Sequence, residues 1–103
     1  MRRSSRRLKP ESRVLELLVK GGIAIGLVTK GNLIEHFLIE RVDSDLPERL
    51  SERGFIKEVR KVVIKGGNSE LLSRLLGAEA LENLPHEELM LNILDELERL
   101  SGR

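Results

Sequence analysis

Three apolar segments of similar length lie within residues 13–42. They read RVLELLVK, IAIGLVTK and LIEHFLIERV, and the dipeptides Gly21-Gly22 and Gly31-Asn32 separate them. Glycine and asparagine adopt the positive φ angles that two-residue hairpin turns need. The pattern therefore predicts a three-stranded antiparallel meander, in which Gly26 of the second strand lies opposite Phe37 of the third.

The first and third segments also fit helices. Residues 10–20 begin with Pro10-Glu11, which suits a first helical turn, although their apolar residues alternate as in a strand. In the third segment, Asn32 and Glu35 have the spacing of a helical capping box. We predict strands for both segments because the glycine-containing turns suit hairpins. With residues 10–20 helical, the element order becomes αββαβαα.

The rest of the chain predicts helices around one further strand. Residues 43–54 begin with capping residues and end on glycine, so they predict a short helix. Residues 55–65, rich in Val and Ile, follow as a crossover strand parallel to one meander strand. Residues 69–77 and 84–102 have the apolar spacing of amphipathic helices. The predicted fold class is therefore α+β: a mixed sheet in which the meander precedes helix, strand, helix and helix.

The composition is that of an ordinary folded domain. The 103 residues have a net charge of +1, and 40% of them are apolar. Residues 1–9 contain five basic side chains and no acid, so we predict a flexible basic arm followed by a single domain over residues 10–103. The basic residues of the arm are Arg2, Arg3, Arg6, Arg7 and Lys9.

The sequence lacks membrane and secretion segments. No apolar run reaches the roughly 18 to 20 residues of a membrane span, and the basic start has no secretory apolar segment. We therefore expect a cytoplasmic protein without a membrane partner. The absence of Cys excludes disulfides, thiolate catalysis and Cys-ligated metals. Trp, Tyr and Gln are absent too, as in hyperthermophile proteins or designs, and irregular details such as Asn32 favour a natural thermophile.

The order of three strands, helix, strand and helix is that of the ribonuclease H-like fold. Within it, IAIGLVTKGNLIEHFLIERV, the helix around PERLSERG and the strand FIKEVRKVVIKG resemble, in layout, the amino-terminal half of archaeal endonuclease V-like proteins. The resemblance covers about residues 13–67. It implies this fold and a nucleic-acid setting.

The catalytic carboxylates of that family are missing. Such enzymes bind divalent metal through a carboxylate on the first strand and others at strand ends. Here the first strand offers only Glu16, KVVIKGG offers no acid, and Glu35 and Glu40 lie on the third segment. The resemblance therefore implies a relative without the metal site, and we predict no enzyme, no metal and no cofactor.

Two basic features could bind anions. Lys57, Arg60, Lys61 and Lys65, with Arg53, form a cluster that could join the arm against a nucleic-acid backbone, although interleaved acids also predict surface ion pairs. The turn after the fourth predicted strand could bind an anion through its backbone N–H groups. Its residues are Gly66, Gly67 and Asn68, and the alternative is a simple turn in which Asn68 caps the next helix.

Catalytic side chains are not grouped in the sequence. His36 and His86 are far apart, without a partner pattern, and the serines have no nearby base, so we interpret these residues as structural. The last helix instead has a wide apolar stripe that fits either a second subunit or the chain's own sheet. The stripe consists of Leu89, Met90, Ile93, Leu94, Leu97 and Leu100.

We therefore predict a non-enzymatic protein-interaction or assembly module, acting as a homodimer or as a small subunit of a nucleic-acid-processing complex. One alternative is a direct nucleic-acid-binding protein that uses the arm and the basic cluster at residues 53–65. Another is a vestigial metal-dependent nuclease, whose cleavage Glu16→Gln would abolish. No small-molecule substrate is indicated.

Overall fold

A five-stranded mixed sheet forms the centre of the protein in a computed structural model that describes residues 12–67, 73–74 and 76–101. Its strands, in chain order, are β1 (Arg13–Lys20), β2 (Ile23–Lys30), β3 (Leu33–Arg41), β4 (Val59–Lys65) and β5 (Glu79–Ala80). In space they follow the order β3-β2-β1-β4-β5. The first three are antiparallel neighbours, whereas β4 lies parallel to β1 and β5 parallel to β4. The predicted α+β class, the mixed sheet and the strand at the first apolar segment are therefore confirmed.

The first helix and the start of the last helix are shorter than the sequence pattern predicts. Helix α1 spans only Leu46–Ser51, and a 3-10 helix at Gly54–Glu58 replaces the start of the predicted strand, so β4 begins at Val59. The last helix spans Glu87–Ser101. Of the helix predicted at 69–77, the described residues 73, 74 and 76 are helical, and the other members of its first two turns lie outside the described residues. No helix within the described ranges is long and apolar enough to cross a membrane.

The two predicted hairpin turns are present because glycine supplies the positive φ angles. Gly21 has φ 62°, Gly22 has φ 80° and Gly31 has φ 58°. The first turn leaves β1 and β2 paired without a break, from Arg13 opposite Lys30 to Lys20 opposite Ile23. The register of the central hairpin therefore follows directly from its turn.

The predicted pairing of Gly26 with Phe37 is wrong by one residue. Gly26 lies opposite Leu38, and a Cβ atom built on Gly26 would lie 2.7 Å from Leu38 Cδ1. The Leu38 side chain therefore covers the gap that the glycine leaves. Phe37 points to the other face of the sheet, where it is half exposed.

A β-bulge in β3 causes this shift. Ile34 pairs with Thr29 and His36 pairs with the adjacent Val28, so Glu35 is an extra residue without an opposite partner. Side chains alternate between the two faces of a strand, and one extra residue reverses which face each later side chain takes. The bulge therefore places Leu38 in the core.

Both faces of the sheet are covered, which explains why β1 and β2 are apolar on both sides. Helix α1 contributes Leu46 and Leu50 to one core, and the last helix contributes Met90 and Leu94 to the other. The strand residues of the first core are Leu15, Leu17, Val19, Ala24, Val28, Leu38 and Ile64. Those of the second core are Leu18, Ile25, Leu27 and Val63.

Candidate interaction surface

Strand β3 forms one edge of the sheet and is the most exposed strand longer than two residues. Of its nine residues only Leu38 is buried. Within the part of the chain that the structure describes, β2 flanks it on one side and no strand pairs with the other. An unpaired edge of this length presents a row of free backbone N–H and C=O groups to another chain.

Apolar side chains accompany this free edge. Ile34, Phe37 and Ile39 are exposed, Phe37 to 47%. All three lie on the sheet face that the last helix covers, because they pair with residues of β2 that point to that face. The last helix packs mainly over β1 and β2, so this row stays in contact with solvent. We call Ile34, Phe37 and Ile39 the β3 apolar row.

The hydrogen-bond alternation of the sheet shows which backbone groups of β3 are free. The N–H of Val42 donates to the carbonyl of Gly22 at 2.9 Å, so Val42 faces β2. In an antiparallel pair, successive residues direct their backbone groups alternately toward and away from the neighbouring strand. Phe37, Ile39 and Arg41 therefore direct their N–H and C=O groups toward the free edge, and of these groups the Arg41 carbonyl already accepts a hydrogen bond from Arg49.

Ion pairs on the opposite face fix the end of β3 to helix α1. Glu40 accepts from Arg53 at 2.6 Å and from Arg49 Nε at 2.9 Å. The hydrogen bonds from Arg53 and then Arg49 hold the pKa of Glu40 below its usual value. Arg49 also donates to the carbonyl of Arg41 at 2.6 Å and to Asp43 at 2.9 Å, and its hydrogen bond lowers the pKa of Asp43. The edge strand is therefore rigidly positioned at this end.

A second ion pair positions the bulge. Arg13 Nε lies 2.6 Å from Glu35 Oε1, and this hydrogen bond lowers the pKa of Glu35. Between the two ion-pair sites, the rings of His36 and Phe55 stack with their centroids 4.3 Å apart. The face of β3 opposite the apolar row is therefore occupied by contacts within the chain.

The carboxylate of Glu16, on the first strand, is buried in a contact with His86. The Glu16 side chain is 1% exposed. Oε1 accepts the backbone N–H of His86 at 2.9 Å, and Oε2 lies 2.6 Å from His86 Nδ1. The two residues are 70 positions apart, and no spacing in the sequence links them. Within the described ranges, no three His, Cys, Asp or Glu side chains converge as a metal site would require.

The structure divides the predicted basic cluster. Lys61 pairs with Glu79 at 3.2 Å, and Lys65 pairs with Glu87, whose pKa is lowered mainly by that hydrogen bond. Arg53 forms an ion pair with Glu40 near the end of β3. Lys57 and Arg60 are exposed and have no ion pair among the described residues. The arm residues Arg2, Arg3, Arg6, Arg7 and Lys9 lie outside the described residues.

The glycines of the predicted anion turn pack against the end of β1. Gly66 has φ 93° and Gly67 has φ 56°. A Cβ atom on Gly66 would overlap the Val19 carbonyl oxygen, and one on Gly67 would collide with the Val19 side chain. Close approach to the backbone of Val19 accounts for Gly66, and close approach to its side chain accounts for Gly67. Asn68 lies outside the described residues, and anion binding at this turn stays a prediction.

The apolar stripe of the last helix mostly covers the chain's own sheet. Met90 and Leu94 are buried in the second core, and Ile93 and Leu97 pack partly against it. The two outer members of the stripe, Leu89 and Leu100, are exposed, Leu100 to 78%. The buried members are not accessible to another subunit in this arrangement. The β3 apolar row, which was not predicted from the sequence, is the larger exposed apolar feature.

Comparison with known proteins yields structural likeness only. No protein-family model matches the chain, and no curated protein matches it at a significant level. A crystal structure of a protein of unknown function from Archaeoglobus fulgidus DSM 4304 is similar over 86% of this chain and 67% of its own, with 16% identity and a TM-score of 0.50.

The Archaeoglobus fulgidus Pelota protein gives a second, weaker likeness. It covers 84% of this chain at 12% identity with a TM-score of 0.47, and this chain spans 31% of its length. At such identities the likeness to the first neighbour concerns the fold alone. The chain shares an α+β fold with an archaeal protein of unknown function.

Proposed function

We propose that this chain is a non-enzymatic protein-association module whose binding element is the free edge of β3. The observation that supports this most directly is the exposure of the strand, in which eight of nine residues are not buried. Edge strands of folded proteins are normally short, charged or covered, because an exposed apolar edge pairs with other chains. A long edge with the β3 apolar row beside it therefore supports a binding site for another chain at β3.

The size of the row decides how the partner binds. Fully burying one Ile or Phe side chain is worth about 1.5 to 3 kcal/mol, so three half-exposed side chains offer about 3 kcal/mol in total. Association of two proteins costs at least about 4 kcal/mol in lost translational and rotational freedom. The row alone is therefore too small, and backbone hydrogen bonds along the edge must contribute. This favours strand addition over simple contact of two faces.

The other candidate roles have less support from the geometry. Lys61 and Lys65 of the basic cluster already have carboxylate partners, which reduces the charge available to a nucleic-acid backbone. Glu16, the first-strand carboxylate of the nuclease alternative, is buried against His86. Membership of a nucleic-acid-processing complex stays an expectation from the layout resemblance to ribonuclease H-like proteins.

A charge placed in the row tests the proposal. We expect tagged wild-type protein to recover a defined partner from its source organism, or a second copy of itself, and Phe37→Lys to lose it. Leu100→Lys is the matched control, because Leu100 is more exposed than Phe37 and lies on the last helix. Far-UV circular dichroism checks that both variants fold. Equal recovery by all three proteins would exclude β3 as the binding element.

The same comparison separates the nucleic-acid alternative. A direct binder would retain DNA or RNA in a salt-dependent manner, and deletion of residues 2–9 would weaken that binding. If the deletion variant no longer recovers its partner while the Phe37→Lys variant still does, the result would favour the basic arm over the strand edge as the binding element.

A further inference from the structure

The bulge at Glu35 leaves a regular segment of β3 on its C-terminal side. From His36 to Arg41 the strand pairs with β2 without another shift in register. Within this segment, Phe37 and Ile39 direct both backbone groups toward the free edge. Arg41 directs its backbone there too, but its carbonyl already accepts from Arg49, so its N–H is the group left for a partner. Ile39 is the central residue of the three. A partner strand can hydrogen-bond most completely to this segment, because the bulge interrupts the spacing beyond it.

We infer that the partner at this edge is a second copy of the same chain, whose β3 pairs antiparallel with β3 about a two-fold axis at Ile39. This rests on the proposed function and names the partner of that same edge. Closed two-fold contacts are the commonest way for identical chains to associate, because each surface patch meets its own copy. The two sheets would join into one continuous sheet.

The residues of the segment are complementary to themselves in this register. Ile39 lies opposite Ile39 of the second copy, and Phe37 lies opposite Arg41 of the second copy, all on the face of the apolar row. Arg41 is exposed and, among the described residues, has no carboxylate within ion-pair distance. A guanidinium group over an aromatic ring is favourable, and the symmetry forms this contact twice.

Other registers fit less well. An axis at Phe37 places Ile39 opposite the bulged Glu35, so the backbone bonds on both sides of the axis are disrupted. On the opposite face, the Ile39 register places Glu40 beside Leu38 of the second copy. Glu40 is already neutralised by Arg49 and Arg53, so the register does not bring an unpaired charge into the interface.

Single cysteines test the inference, since the natural sequence contains none. Opposite Cα atoms in an antiparallel pair lie about 5.5 Å apart, which a disulfide can span. We expect Ile39→Cys to form a disulfide-linked dimer on mild oxidation, about ten-fold faster or more than Leu100→Cys, because pairing raises the local thiol concentration. Phe37→Cys and Arg41→Cys should link to each other when mixed, and neither should link to itself.

The oligomeric state gives a second measurement. Sedimentation of the full chain at about 0.1 mM should show a concentration-dependent dimer, since one strand pair is a small interface. Ile39→Lys should be a folded monomer, and Leu100→Lys should remain dimeric. A monomeric wild-type chain, or Ile39→Cys linking no faster than Leu100→Cys, would overturn the inference.

These outcomes also separate the inference from the proposed function. If the wild-type chain is monomeric but recovers another protein that Phe37→Lys loses, the proposed function stands and self-pairing fails. Self-linking of Phe37→Cys in place of Ile39→Cys would overturn the register.

Discussion

Replacing Glu16 by Ala should destabilise the fold strongly, although the residue is a single carboxylate on a central strand. Glu16 is fully buried and both of its oxygens contact His86, one the backbone N–H and the other Nδ1. His86 directly precedes the last helix, which covers one face of the sheet. The substitution therefore removes the contact that joins β1 to the start of this helix.

The expected magnitude follows from the groups left unpaired. Each buried donor that loses its acceptor costs about 1 to 3 kcal/mol, and the backbone N–H of His86 is one such donor. The imidazole is 30% exposed in its side chain, so water can partly replace the lost contact at Nδ1. We expect Glu16→Ala to lower the free energy of unfolding by about 2 to 4 kcal/mol, a large share of the roughly 5 to 15 kcal/mol of a typical domain.

Glu16→Gln is the matched control. The amide retains the shape of the side chain and one carbonyl acceptor, and its NH2 group can donate to Nδ1 if the imidazole proton moves to the other ring nitrogen. We expect this variant to lose about half as much stability as Glu16→Ala.

Urea unfolding of the single variants and of the double variant with His86→Ala measures the contact. The coupling energy of the pair should be about 1 to 2 kcal/mol, because the two side chains touch directly. A loss below about 0.5 kcal/mol for Glu16→Ala, which is the range of ordinary surface substitutions, would refute the reasoning.

Three further outcomes concern the turn, the edge ion pairs and the last helix. Gly66→Ala should lower the free energy of unfolding by about 3 kcal/mol and Gly21→Ala by about 1 kcal/mol, because both residues have positive φ but only Gly66 would also clash with backbone. Equal thermal midpoints of the two variants would contradict this. Because the pKa of Glu40 is lowered, its stabilisation is present above the unfolded value of about 4.3 and is lost as pH falls through the folded value. Unfolding at several pH values should therefore show that Glu40→Gln is less stable than wild type at pH about 6 and that the difference shrinks in acid; a constant difference would argue against it. In urea unfolding, Met90→Ala should lower the free energy of unfolding by about 2 to 5 kcal/mol, whereas Leu89→Ala, at an exposed position, should lower it by less than about 0.5 kcal/mol. Similar losses for the two variants would mean that the helix packs through another face.

The meander could be predicted because its turns are local. Gly21-Gly22 and Gly31 supply the conformations that two-residue hairpins require, and no distant contact is needed to see this. The bulge could not be predicted in the same way. Glu35 is positioned by Arg13, 22 residues away, and by the burial of Leu38 against Gly26, so the register depends on tertiary contacts.

The candidate surface was missed for a related reason. An amphipathic stripe shows that a helix buries one face. It does not show whether the surface against which that face packs belongs to the same chain or to another one. The stripe around Met90 and Leu94 meets the chain's own sheet. Strand β3 is exposed only because β4 joins the sheet beside β1, and strand order is not readable from the residues of β3. The contact of Glu16 with His86 likewise depends on where the last helix begins.

The bulge gives this hairpin a second possible register. Without it, the two-residue turn would continue its own pairing along a strand that keeps Glu35, and Gly26 would lie opposite Phe37, with the aromatic ring turned inward and Leu38 outward. Deleting Glu35 would not produce that exchange, because every later residue of β3 would keep its present partner in β2. The same amino acids can therefore present two different surfaces, and a slip of one position, without any mutation, would hide the aromatic side chain that the proposed partner contacts.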